Sequence, residues 1–313
     1  MLQFYRNINH QTQQISNPEE ANWINVTPPF EQIEIDNLSS KLNIPRDFLT
    51  DTLDMEERSR YETEDGVKMI IIKTPVENKS VSTSDAYYIT IPISIIITAN
   101  NQIVTVNSFD NAAIHLFLES FAKRHPEKPN MMVLKIFEKV IWDYIHVLRD
   151  INHRRDQLEQ ELYDSNRNYE LLQIMRVQKS LVYFVTALRS NELLLMKMDR
   201  TNYLHCNDEE LEFLQDLVIE FSQALEMANN YTNILSSTMD AFASIINNNM
   251  NIVMKRLTAI TIMLSVPNLV LAFFSMNVSF PMQNTVKGFY AAISIAIIIS
   301  FITSWYFNKK RWF

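Results

Sequence analysis

The alternation of hydrophobic and polar positions changes character three times along the chain. Residues 257–274 and 289–307 carry no charge at all. Each run approaches the ~20 residues that a helix needs to cross the ~30 Å hydrocarbon layer of a bilayer. Upstream, residues 208–274 read as one continuous helix. Between 131 and 277 there is no glycine, and Pro267 is the single proline, a composition that favours helix throughout. At 1.5 Å per residue such a helix is roughly 100 Å long, and it must bury a face. Leu214, Phe221, Ala228, Leu235 and Phe242 recur every seven residues, with Val218, Leu225, Thr232, Met239, Ile246 and Val253 interleaved. This is a heptad seam. It can pack on the preceding helices, on copies of itself, or on both.

The N-terminal part alternates instead with the period of strands. Residues 23–27, 67–74, 87–98 and 102–106 are predicted strands, with a turn at Asn100-Asn101 joining the last two. Residues 29–42 and 46–54 suit helices. Beyond Pro129 the pattern is helical, with a break near 166–168 dividing 131–200 into two antiparallel helices and 202–208 separating the third. The expected fold class is α+β, in three parts: a mixed α/β domain over 1–128, a helical hairpin and long stalk over 129–256, and a membrane domain over 257–313. In that last part the outer loop is 275–288.

Within the first span the polar residues are Thr258, Thr261, Ser265 and Asn268. At about 100° per residue they share an arc of about 80°. Ala272 falls on the arc and Ser275 beside it. Extended the other way, the line meets Met254, Asn251, Asn247 and Asp240. A polar group in hydrocarbon is costly unless it meets protein or water. Copies of the helix arranged with this stripe inward would enclose a polar path; helix–helix contact through Ser and Thr is the alternative use.

Charge sharpens the picture. From 255 to 313 there are six basic residues and no acid, which leaves 22 basic against 36 acidic residues in 1–254. An acidic body on a basic, apolar tail argues against nucleic acid as a partner; it suits a handler of cations, although taken alone ordinary solubility is the simpler account. Lys255 and Arg256 precede the first span and Lys309, Lys310 and Arg311 follow the second, whereas the loop has only Lys287. The positive-inside bias predicts a multi-pass cell-membrane protein with both termini cytosolic. Trp305, Tyr306 and Trp312 are placed for an interfacial belt. Residues 1–10 lack the apolar core of a cleavable signal, and the lone Cys206 allows no internal disulfide.

Enzyme chemistry finds no foothold. The only glycines are Gly66 and Gly288, so no phosphate-cradling loop exists. His146 and His153 share a helical face with Asp150 but lack a well-spaced third metal ligand. Cys206 has no evident base. Asn277-Val-Ser279 matches a glycosylation sequon.

Residues 267–277 (PNLVLAFFSMN) are similar to the segment of the CorA family of magnesium channels that starts at a proline and ends in Tyr-Gly-Met-Asn. Residues 240–254 (DAFASIINNNMNIVM) resemble that family's stalk before the membrane, 309–312 (KKRW) its basic tail, and 23–27 and 49–53 (LTDTL) motifs of its α/β domain. The resemblance covers nearly the whole chain. It implies a funnel-shaped homopentamer in the lipid bilayer, with five first-span helices around a pore and the second spans outside. It implies a selectivity loop at Ser275, Met276 and Asn277, and pore-lining or gate positions at Asp240, Asn251, Met254 and Leu257. It also implies Asp51 and Asp216 as carboxylates that share a regulatory cation between subunits. Mg2+ would be both transported and regulatory ion, with Co2+, Ni2+ or Zn2+ as other candidates.

Three departures stand out. Ser275 replaces the family glycine, and serine takes a positive φ only at a cost. The outer loop has no acid, and position 50, acidic in some relatives, is threonine. The expected function is a passive, gated divalent-cation channel. The alternatives are a zinc or other divalent-metal transporter of the same fold, and a membrane-anchored scaffold that conducts nothing.

Overall fold

The computed structural model describes residues 2–8, 11–29, 31–79, 85–107, 129–164, 168–276 and 286–310. Its strands are β1 (Leu2–Ile8), β2 (Gln11–Ile15), β3 (Trp23–Val26), β4 (Arg60–Glu64), β5 (Val67–Glu77), β6 (Tyr88–Ile97) and β7 (Ile103–Asn107). Its helices are α1 (Gln32–Leu42), α2 (Arg46–Thr50), α3 (Pro129–Asp164), α4 (Asn168–Thr201), α5 (Asp208–Phe274) and α6 (Val286–Lys309). The chain forms two compact units, Met1–Leu235 and Ser236–Phe313. Helices α3, α4 and the first part of α5 therefore belong to the same unit as the sheet.

In the first unit the strands make one sheet in the order β2-β1-β3-β7-β6-β5-β4, antiparallel except for β3 beside β7. The central strands are apolar on both faces, because helices cover both. Val67, Met69 and Ile71 of β5 join Ile35 and Leu38 of α1 and Phe48 and Leu49 of α2 in one core. The intervening Ile70 and Ile72 are equally buried and point the other way by strand alternation. On that side α3 and α4 lie against β5 and β6. Tyr144 and Phe184, both fully buried, meet edge-to-face across α3 and α4 at 5.5 Å.

Differences from the sequence reading have local causes. β1, β2 and β4 were not expected. β2 and β4 are polar strands at the two edges of the sheet, where no continuous apolar run is required, and charged edges such as β4 also discourage further pairing; β1, next to the edge, buries Tyr5 and packs Leu2 and Phe4 against the core. Asp65-Gly66, both at positive φ, makes the tight turn between β4 and β5, the hairpin signal that would have revealed β4. Asn101, at φ 62°, closes the predicted β6–β7 turn. The helix expected over 29–42 starts at Gln32. The one expected over 46–54 divides into α2 and a 3-10 turn, Asp51–Leu53. The expected break near 166–168 falls partly on 165–167, outside the described residues.

The heptad seam is half right. All five residues of the first series are buried. Of the interleaved series only Leu225 is; Leu217 and Ala224, one residue earlier in the repeat, are buried instead of Val218. A helix of 3.6 residues per turn packed against two neighbours buries a broader face than a two-stranded seam. Ile246 and Val253 stay exposed.

In the second unit α5 continues to Phe274 with Pro267 inside it. Proline donates no backbone hydrogen bond, which frees the carbonyl of Met263 four residues earlier. Ala292 and Ala296 on α6 are buried, as is Ala259 on α5. Such small residues let two helices approach closely where no hydrophobic effect drives them together.

Candidate functional site: a polar stripe along the first span

Between residues 251 and 274 of α5, six side chains are not exposed: Ala259, Met263, Val266, Pro267, Val270 and Phe274. They recur at helical spacing and define one face. Met263 and Pro267 share a shallow cleft with Ala296, Ile297 and Ser300 of α6, so this face is the one turned to the second span. At about 100° per residue it is centred roughly 180° from the polar stripe. Asp240, Asn247, Asn251, Met254, Leu257, Thr258, Thr261, Ser265, Asn268, Ser275 and Met276 are all exposed in the single chain. Asn277 lies outside the described residues.

The stripe's hydroxyls are not idle. Thr258 donates to the Met254 carbonyl at 2.8 Å, Thr261 to Leu257 at 2.9 Å and Ser265 to Thr261 at 2.7 Å. Bonding back into the helix satisfies each donor and lowers the cost of carrying it through an apolar layer. The oxygen keeps acceptor capacity on its outer side, which suits a surface that faces the hydrogens of water. Asn268 has no side-chain partner among the described residues and offers both an acceptor and a donor. Ser275 is not among the residues at positive φ. Its N–H bonds the Leu271 carbonyl at 3.0 Å and its hydroxyl the Ala272 carbonyl at 2.8 Å. Serine here closes the last helical turn, and the strain expected of it does not arise.

The apolar windows of α5 and α6 are scarcely buried within the chain. The core helix of a soluble protein would be mostly buried, so these windows need another apolar medium.

Asp51 and Asp216 stand in different settings. Asp51, at the start of the 3-10 turn, accepts from Arg60 Nη2 at 2.5 Å. Arg60 also pairs with Glu57, and lies 3.6 Å from Glu62. Burial pushes the Asp51 carboxyl above its usual range, and Arg60 offsets part of that rise. Asp216 is exposed on α5 with no ion-pair partner among the described residues. Among those residues, no three His, Cys, Asp or Glu side chains converge on a common point. A cation bound at Asp51 would have to contend with Arg60.

The profile of the CorA-like Mg2+ transporter protein family matches residues 18–311. The chain belongs to this family. It is similar to the cobalt/magnesium transport protein CorA of Methanocaldococcus jannaschii, 26% identical over 297 residues that cover 93% of this chain and 90% of the relative. The cobalt/magnesium transport protein CorA of Thermotoga maritima is 20% identical over 295 residues, covering 93% and 83%. The complete structure of the M. jannaschii CorA magnesium transporter superposes with a TM-score of 0.86 at 24% identity, covering 100% of this chain and 99% of that one. The expected fold is therefore the observed one: a CorA fold with a mixed α/β domain, long helices and two C-terminal apolar helices. The chain is a membrane transport protein of the CorA type for divalent cations, and not an enzyme.

The CorA resemblance in the sequence pointed to Asp51 but not to its partner. Arg60 is nine residues away and opens a strand that was not expected; the Asp65-Gly66 turn was the available signal. His153 Nε2 lies 3.1 Å from Gln157 Nε2, and among the described residues His146 and His153 share no hydrogen-bond partner. Between them Asp150 accepts from Tyr88 and from Arg154, each at 2.7 Å, a link between α3 and β6 that no local pattern indicates.

Proposed function

We propose that this CorA-family chain forms a passive, gated Mg2+ channel as a homopentamer in the cell membrane, with both termini cytosolic. The observation that supports this most is the position of the polar stripe on the far side of α5 from α6. In a ring of copies with α6 outermost, Thr258, Thr261, Ser265 and Asn268 would face the axis. Met254 and Leu257, both more than half exposed, would make an apolar ring near the cytosolic end, where dewetting can close a pore. Asp240, Asn247 and Asn251 would line the approach below it.

The chemistry suits a hydrated ion. Mg2+ gives up its waters reluctantly, and neutral amide and hydroxyl oxygens can hydrogen-bond those waters without stripping them. Ser275, Met276 and Asn277 would form the outer selectivity loop, with the Asn277 amide oriented to the ion's water shell. A carboxylate ring would bind the ion too firmly for fast release, and no acid follows Asp240. Asp51 of one subunit and Asp216 of the next would share a regulatory Mg2+ that favours the closed state by its differential affinity for that state.

Flux into liposomes measured with Mg2+ against competing Co2+, Ni2+ and Zn2+ tests the reading. Mg2+ uptake that Co2+ competes for is the expected result. Zn2+ uptake without Mg2+ uptake would make the chain a zinc transporter of the same fold, and no flux of any divalent ion would make it a scaffold.

A further inference from the structure

From Thr201 to Met254 there are eight acids and no lysine or arginine. On the part of α5 within the first unit, Glu209, Glu212, Asp216, Ile219, Gln223 and Glu226 are all exposed. Spaced by three or four, they form one stripe of about 100°. Ile219 is 55% exposed at its centre. Such a face, acidic around an apolar residue, is left uncovered by its own chain.

The same unit has a surface of opposite character. A groove of about 880 Å³ runs between α4 and the segment that leads into β4. Five cationic side chains line it, Arg58, Arg60, Lys73, Arg189 and Lys197, against one acid, Glu56. In a body with a large excess of acid, this is a local inversion of charge. Arg60 is engaged by Asp51, and Lys73 donates to the Met55 carbonyl at 3.2 Å. Lys197 rests over the Tyr61 ring at 4.8 Å. Arg58 and Arg189 have no ion-pair partner among the described residues. The rim is apolar: Val182, Tyr183 and Leu193 of α4 are each about half exposed, at 55%, 47% and 60%.

We infer that this groove receives the acidic stripe of α5 from a neighbouring copy of the chain. The inference rests on the proposed ring assembly and adds to it which surfaces meet. In a closed ring each subunit presents two different faces to its two neighbours. Here the two faces match: Leu193 and Val182 meet Ile219, and Arg58, Arg189 and Lys197 meet Glu212 and Asp216. Charge complementarity of this kind fixes register and partner. A long helix face with an apolar rim fits another helix better than it fits a small anion. Basic side chains of the groove would then neutralise Asp216 in place of, or in competition with, a divalent ion.

Cross-linking of the full chain in detergent tests this. On a Cys206→Ser background, Leu193→Cys and Ile219→Cys in one chain should give a covalent ladder with a short bis-maleimide, whereas either cysteine alone gives none. Arg58→Glu, Arg189→Glu and Lys197→Glu together should slow cross-linking about tenfold or more, as should Glu212→Lys with Asp216→Lys; combining the two sets should restore it. Chelating divalent ions should leave the ladder in place. Light scattering on the same samples separates the two readings. A chain that assembles but gives no ladder overturns this inference and leaves the channel reading intact, whereas a monomeric chain removes both. A ladder insensitive to charge reversal and lost on chelation would assign the contact to metal ions and overturn the inference.

Discussion

Arg60 Nη2 and Asp51 Oδ2 lie 2.5 Å apart, so the carboxylate proposed for a regulatory cation already has one. The guanidinium and a divalent ion would compete for the same oxygen. Removing Arg60 should therefore strengthen inhibition by internal Mg2+: Arg60→Ala is expected to lower the half-inhibiting concentration by about tenfold, the loss of one charge-assisted bond. Asp51→Asn with Asp216→Asn should abolish the inhibition. Flux assays over a range of internal Mg2+ check both. Unchanged inhibition in the double variant would place regulation elsewhere.

Asn191 continues a ladder where a strand stops. β4 pairs with β5 only as far as Ile71. Two residues on, the Lys73 N–H donates to Asn191 Oδ1 at 3.0 Å, and Asn191 Nδ2 donates to the Lys73 carbonyl at 2.8 Å. Ser59 also donates to Asn191 Oδ1, at 2.7 Å. Asn191 is fully buried, so Asn191→Leu would orphan a backbone N–H. The expected loss is roughly 2–3 kcal/mol, read as a lower denaturant midpoint of the full chain in detergent. A midpoint equal to the parent's would show that water replaces the side chain.

The Tyr88–Asp150–Arg154 link makes a pH prediction of definite sign. Burial, then the hydrogen bond to Asp150, pushes the Tyr88 hydroxyl up to about 12. Burial alone would raise Asp150, but its bonds with Arg154 and Tyr88 hold it below the usual carboxylate range. A lowered carboxyl stabilises the fold above the unfolded value of about 3.9 and loses that contribution as pH falls through the lowered value. A raised phenol contributes fully below about 10 and loses its contribution as pH rises through about 12. Asp150→Asn should bring Tyr88 down from about 12 while burial keeps it above the free value. The phenolate absorbance difference against Tyr88→Phe reports it. No change in Asp150→Asn would mean that burial alone sets the value.

Topology is open to direct labelling. A cysteine placed at Gln283 on the Cys206→Ser background should react with an impermeant maleimide from outside the cell. Reaction only in inverted vesicles would reverse the orientation expected from the basic flanks.

The long helices, the two spans and the stripe were legible because each depends on periodicity along one element. Thr258, Thr261, Ser265 and Asn268 share a face by arithmetic, and the packing of Ala259 and Met263 on the opposite side agrees with it. The margin strands were not legible, since Gln11–Ile15 and Arg60–Glu64 bury little and carry few apolar residues. Nor were Arg60 beside Asp51 or Asn191 beside Lys73. Those contacts join residues through the tertiary fold, and no local spacing encodes them. The buried half of the second heptad series shifted to Leu217 and Ala224 for the same reason: its partners are other helices, whose positions the heptad does not contain.

The channel reading stands most directly on one comparison, Mg2+ flux into liposomes through Asn268→Leu and through Ile260→Asn, each checked for intact assembly. Asn268 is on the stripe and Ile260, 46% exposed, is off it. If the stripe lines the pore, Asn268→Leu removes the polar ring that keeps the constriction wet and lowers flux by at least about tenfold, equivalent to about 1.4 kcal/mol on the barrier. Ile260→Asn, about 120° from the centre of the stripe, should change it by less than about twofold, under roughly 0.5 kcal/mol. Equal flux in both variants, or the larger loss in Ile260→Asn, would contradict a pore along this face of α5.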